Sequence, residues 1–215
     1  MESTERRRTT PSHTAKVRYL DAGLHILAEQ GHGGLKLATV CKAVGATTGS
    51  FYHAFPSWGA YTAALIRYWR AEKSQRLIAD AAAIDDPLER LTFLTGIAPR
   101  LPHDTEAAIR VWADKDTDVR AIQAEVDEER RSYIADAITV VTGDRAGAER
   151  HATAAMYLLV GYENGTHRSV EALDWALQTL LTQVLAGVEG VATDEGTARR
   201  GDASSTQPSR PYSPN

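Results

Sequence analysis

Residues Leu37 to Phe55 read LATVCKAVGATTGSFYHAF, and the way their apolar positions fall decides the fold of the chain. Leu37, Val40, Cys41 and Val44 recur at spacings of three and four, so they share one side of a short helix. Gly45 breaks that helix, and Thr47 is placed to cap another, which turns Phe51 and Phe55 inward. Two short helices joined by the tight turn Gly45-Ala46-Thr47 make a helix-turn-helix: the first braces the unit and the second presents its N-terminus to a groove. Gly49 keeps the outer face shallow. That face offers Thr47, Thr48, Ser50, Tyr52 and His53, all able to hydrogen-bond phosphates or base edges. On these residues alone, an ordinary helical hairpin satisfies the same pattern.

Upstream, Val17, Leu20, Leu24 and Leu27 line one helical face, with Ser12 or Thr14 placed to cap its start and Gly31 to stop it. Before it, residues 1–12 carry Arg6-Arg7-Arg8 without an apolar period and read as a flexible basic arm. Downstream, Pro56 and Ser57 restart the chain, and Tyr61, Leu65, Tyr68 and Trp69 keep helical spacing along a helix from about 57 toward 83. Breaks follow at Asp85-Asp86-Pro87, Pro99/Pro102, Asp114–Asp118, Thr142-Gly143-Asp144 and Gly165–Ser169. Val119, Ile122, Val126, Tyr133, Ala137 and Val141 form one apolar stripe; Leu173, Leu177, Leu180, Val184 and Val188 form another. No segment alternates with period two long enough to make a strand. The chain therefore reads as all-α with about nine helices: an arm over 1–12, a three-helix head over 13–60, a helical body over 61–192 and a polar, disordered tail over 193–215.

The net charge of −4 averages two unlike parts. Residues 1–56 hold seven Lys/Arg against four acids, a net +3, and the remaining seventeen basic and twenty-four acidic residues give −7. A basic head on an acidic body suits a polyanion partner for the head and a body that need not touch it, while charge differences of this size also arise by chance. The lone cysteine, Cys41, excludes an internal disulfide, and the longest near-apolar run, Ala152 to Tyr162, is far short of the roughly 20 residues of a membrane span. The expectation is a soluble, cytoplasmic protein with no membrane partner.

From about Thr14 to Tyr61 the sequence resembles the DNA-binding domain of TetR-family transcriptional regulators. The resemblance rests on Ala28-Glu29-Gln30-Gly31, on Val40-Cys41-Lys42-Ala43-Val44-Gly45-Ala46, on Thr47-Thr48-Gly49-Ser50-Phe51-Tyr52-His53-Ala54-Phe55, and on Pro56-Ser57-Trp58. It implies that Thr47, Thr48 and Ser50 lie at the groove, that Tyr52 touches a phosphate, and that His53 lies beside it. Lys36 stands where the family has a capping Ser or Thr, so either that helix begins differently or Lys36 itself reaches a phosphate. Ala38 replaces a common polar contact, and Trp58 replaces a lysine directed at the backbone. The Arg6–Arg8 arm either compensates from a neighbouring minor groove or is a solvated tail.

The resemblance further implies a homodimer on palindromic double-stranded operator DNA, most simply a repressor released by a small-molecule effector of unknown identity. An activator or ligand-independent regulator on the same fold is the alternative, and an all-helical enzyme or interaction module is a more distant one. Candidate pocket walls are Trp69, Phe93, Trp112, Tyr133, Met156, Tyr157 and Tyr162, with His103, Arg110 and Asn164 as polar anchors; each is equally at home as plain core. Ala152, Ala155, Leu159 and Tyr162, then Leu173, Ala176, Leu180 and Val184, offer small and apolar surface for a four-helix dimer interface, or for burial within one subunit.

Asp114, Asp116, Asp118 and Glu125 superficially match a calcium loop, but Val119 replaces its required glycine, and Asp116 or Asp118 reads instead as a helix cap. The histidines show no zinc spacing with one another or with Cys41. No phosphate loop or nucleophile elbow is present, so neither an enzyme nor a cofactor or metal is expected.

Overall fold

The structure, a computed structural model, describes residues 13–201. The basic arm lies outside the described residues. The final helix continues through Gly201, past the 193 boundary read from composition, and 202–215 lie outside the description.

Ten α-helices, and no strand, make up the described residues. The head is α1 (His13–Gly34), α2 (Leu37–Val44) and α3 (Thr48–Ala54). Thr14 sits inside the first turn of α1 rather than capping it, and Gly31 interrupts that helix with a φ of 64°. Then come α4 (Trp58–Arg70) and α5 (Arg76–Ala82), joined by the wide π-turn Ala71–Gln75. The sequence reads these two as one helix, which accounts for ten rather than nine. The body continues with α6 (Pro87–Ile97), α7 (His103–Ala113), α8 (Thr117–Thr142), α9 (Arg145–Asn164) and α10 (Val170–Gly201).

The caps explain most of these boundaries. Side chains of Thr47, Ser57, Asp86, Asp116 and Asp144 accept backbone N–H bonds at the starts of α3, α4, α6, α8 and α9. Asp116 is thus the cap anticipated at the false calcium loop, and its other oxygen accepts from Trp112 Nε1. Among the described residues, no group of three or more His, Cys, Asp or Glu is placed to hold a metal ion, and no helix is long and apolar enough to cross a membrane.

The core crosses the expected boundary at residue 60 without a break. Leu27 of α1, Phe51 of α3, Tyr61 and Trp69 of α4, Ile109 of α7 and Val126 of α8 belong to one buried cluster. Two smaller clusters tie α6, α8, α9 and α10 together farther from the head. Head and body therefore cohere through α1 and α4, which carry apolar residues on faces turned to both.

Candidate nucleic-acid interface and internal chamber

At the head, the turn between α2 and α3 is closed by Gly45, whose φ of 69° and ψ of 37° an L-side chain rarely adopts. Its N–H bonds back to the Cys41 and Lys42 carbonyls, and Arg18 donates to the Val44 carbonyl at 3.2 Å. Thr47 Oγ1 then accepts from the Ser50 N–H at 3.1 Å and shares a 3.0 Å hydrogen bond with the Ser50 hydroxyl. The inner face of α3 is sealed by Phe51, which is fully buried among the rings of Tyr19 (5.6 Å), Phe55 (5.5 Å) and Tyr61 (5.2 Å).

With that face sealed, Thr47, Thr48, Gly49, Ser50, Tyr52 and His53 are all exposed, Tyr52 at 48%. The six-residue DNA-facing set read from the sequence is completed by Lys36, also exposed. Lys36 occupies the extended N-cap position of α2 without a side-chain cap bond, so that helix starts where the motif places it and the ammonium is not consumed by capping. Lys42 is exposed as well, and no Asp or Glu occurs from Leu37 to Phe55. Exposed hydroxyls, an imidazole and two ammonium groups on a helix pair without an Asp or Glu of its own suit hydrogen bonding and charge attraction to phosphates.

The head is joined to α4 by two phenols. Tyr61 donates to the Tyr19 carbonyl at 2.9 Å, and Tyr68 donates to Asp21 Oδ1 at 2.7 Å. Burial raises the Tyr61 pKa above its ordinary value; burial and the Asp21 bond push Tyr68 up to about 12. Burial also raises the Cys41 thiol, which keeps it protonated and in keeping with a packing role.

The body holds two adjoining apolar lobes, each partly open to solvent. One lies between α6, α8, α9 and α10; the other lies between the π-turn, α5, α6, α8 and α9. Leu94, Ala98, Ile134, Met156 and Leu159 line both lobes, which therefore adjoin and together are called the chamber of the body.

Of the pocket residues read from the sequence, Tyr133 and Met156 line this chamber. The others lie elsewhere. Trp69 and Trp112 sit in the core beside the head, and Trp69 Nε1 donates to Glu106 at 3.1 Å. His103 is buried with its ring 4.7 Å from Tyr162 and its Nδ1 3.5 Å from Glu163 Oε1. Arg110 is committed to an ion-pair network, bidentate to Asp127 (2.8 and 3.0 Å) and bonded to Glu163 at 2.8 Å. Phe93 is half-buried on α6 outside the chamber, Asn164 is exposed, and Tyr157 is 74% exposed on α9.

Of the candidate interface residues, Ala152, Leu159, Leu173 and Val184 are buried within the single chain, and Ala155, Leu159, Leu180 and Val184 line the chamber. Ala176 and Tyr162 are half-buried. Among the described residues, the large apolar groups that α9 and α10 leave exposed are Tyr157, Val170 and Trp175, the last 70% exposed. The sequence reading missed Trp175, whose position four residues before Thr179 places it on the polar side of the Leu173–Leu177–Leu180 stripe. It also missed Ser74, which lies in the π-turn and lines the second lobe.

No protein-family model matches the chain, and no curated protein matches it by sequence. Solved structures do match. A transcriptional regulator from Rhodococcus sp. Rha1 superposes with a TM-score of 0.64 at 20% identity, covering 80% of this chain and 96% of its own. A TetR transcription regulator from Haloarcula marismortui matches at 0.61 and 19% identity, covering 82% and 97%. A protein from Saccharomonospora viridis, described as a transcriptional regulator and bound to choline, matches at 0.66 and 18% identity, covering 80% and 97%. The chain is thus a helix-turn-helix head on an all-helical body. Its fold is that of the TetR-family transcriptional regulators.

Proposed function

We propose that this protein is a TetR-family transcriptional regulator, not an enzyme: a homodimeric, cytoplasmic repressor of a palindromic operator, released when a small molecule enters the chamber of the body. The observation that carries this reading is the head. Its second short helix has one face sealed by Phe51 and Ala54, while Thr48, Ser50, Tyr52 and His53 stand exposed, and Lys36 and Lys42 of the preceding helix are exposed as well. Two such heads address half-sites about one turn of DNA apart only when a two-fold axis relates them. The exposed Tyr157 and Trp175 on the last two long helices supply apolar surface for that pairing. An effector acts by favouring the conformation whose heads no longer match the half-site spacing, to the extent that it binds that conformation more tightly.

Selection of duplex DNA from a random pool by the purified full chain tests the reading. Enrichment of a palindrome, bound with an affinity that falls steeply with salt and drops on Tyr52→Phe and Ser50→Ala, is the expected result. Recovery of no preferred sequence overturns it.

A further inference from the structure

The chamber is apolar except for a few polar groups, and these differ in whether they are already engaged. In the first lobe, the Thr95 hydroxyl donates to the Leu91 carbonyl at 2.9 Å and His151 Nδ1 bonds the Gly147 carbonyl at 2.8 Å. In the second lobe, Ser74 and Tyr133 stand differently. Ser74 is 1% exposed, and neither its hydroxyl nor that of Tyr133 has a hydrogen-bond partner among the described residues. A buried hydroxyl without a partner is costly, so two of them on one lobe mark a place built to receive a hydrogen-bonding group. Ser74 reaches the lobe because it lies in the π-turn Ala71–Gln75, a local widening that often accompanies functional sites.

The charge of the lobe is balanced. Arg130, which lines it, directs its guanidinium at Glu106 with contacts of 3.0 and 3.3 Å, and Glu106 is itself fully buried. An entering anion would have to compete with Glu106 for that guanidinium, and an entering cation would meet no uncompensated carboxylate on the lining. The second lobe therefore reads an oxygen-bearing, uncharged head, and the first lobe, walled by Leu91, Ile138, Leu177 and Leu181, takes a hydrocarbon body.

We propose that the chamber binds an uncharged, largely hydrocarbon molecule bearing one compact alcohol or carbonyl group, held by the hydroxyls of Ser74 and Tyr133. This rests on the chamber being the effector site of the regulator proposed above, but its test contains no DNA and is decided separately.

The experiment is calorimetric titration of the full chain with decan-2-one and decan-1-ol, against decanoate and decyltrimethylammonium, alongside thermal melts of the free protein. The two neutral compounds are expected to bind at least about tenfold more tightly than either charged one. Ser74→Ala and Tyr133→Phe should each weaken that binding by roughly two- to tenfold, the loss of one net hydrogen bond. Both substitutions should leave the melting temperature of the free protein unchanged or raised, because each deletes an unpartnered buried hydroxyl; a purely structural role predicts a fall. Equal or tighter binding of decanoate or decyltrimethylammonium, no binding of the neutral pair, or full affinity retained in both variants overturns the proposal. Failure to select an operator sinks the regulator reading and leaves these measurements standing.

Discussion

The Tyr61 hydroxyl reaches the Tyr19 carbonyl, 2.9 Å away, through a gap that exists because residue 23 is glycine. A Cβ at Gly23 would lie 2.2 Å from that hydroxyl and 2.9 Å from Leu65 Cδ2. Gly23→Ala is therefore expected to cost about 1–3 kcal/mol by overpacking, although alanine is the better helix former. Tyr61→Phe alone should cost about 1 kcal/mol. The double variant should be more stable than Gly23→Ala alone, since the atom struck first has gone. Urea denaturation of the three variants measures this; additive losses would show that the clash lies elsewhere.

Thr47 both caps α3 and stands exposed on the head. As the cap of α3 it accepts from Ser50 N–H, and Thr47→Ala should lower stability by about 1 kcal/mol, with Thr47→Ser restoring it. Thr48 is an exposed neighbour in the first turn of α3, and Thr48→Ala should change stability by less than about 0.5 kcal/mol. Both alanine variants should lose affinity for the selected operator. Denaturant melts paired with DNA-binding isotherms separate the capping loss from the contact loss, and a Thr48→Ala variant with full affinity would remove that residue from the interface.

How much of this was legible in the sequence follows from the range of the interactions. The head was legible because its signals are local: Gly45 closes a turn, Thr47 caps three residues ahead, and Phe51 and Phe55 repeat one turn apart. The body was legible as helices but not as surfaces. Periodicity marks Ala152, Leu173 and Val184 as apolar without saying whether the same chain or a second one covers them, and the same chain does. Arg110 looked like a free anchor because its partner Glu163 lies 53 residues away. Ser74 was invisible for a geometric reason. Five residues after Trp69 it falls about 140° around a regular helix, and only the π-turn, by adding a residue to the turn, brings it back toward the interior.

Glu106 accepts from Trp69 and from Arg130 where all three side chains are buried, so its charge is balanced by one partner. Glu106→Ala should cost about 3–5 kcal/mol because it removes one partner of a buried ion pair and the acceptor of the Trp69 N–H. Replacing both, as Glu106→Leu with Arg130→Met, should recover most of that loss. Equilibrium denaturation of the single and double variants decides it: a double variant no better than the single would mean that the packing around Trp69, not the charge pair, carries the stability.

Tyr157 and Trp175 are large rings left in solvent by the single chain. Under the proposed pairing, Tyr157→Arg combined with Trp175→Glu should turn a dimer into a monomer in sedimentation at micromolar concentration while leaving the helical content intact. Operator affinity should fall with it, since one head alone contacts a single half-site. A double variant that remains dimeric places the interface on another face.

His32 near the end of α1 stacks on Trp112 of α7, with ring centroids 5.0 Å apart and planes 16° from parallel. Burial lowers its pKa below the ordinary 6.5, Lys115 lowers it further, and Asp116 partly opposes them. A lowered histidine pKa means that the unfolded chain takes up the proton first. Stability linked to His32 is therefore complete above about pH 6.5 and declines as pH falls through the folded value. His32→Gln, which cannot titrate, should lose less stability than the parent chain between pH 7.5 and pH 5. Urea melts at both pH values give the comparison, with the remaining histidines cancelling in the difference. An equal pH dependence in the two proteins would show that the stacked ring is protonated as readily folded as unfolded, and that the contact between α1 and α7 is indifferent to its charge.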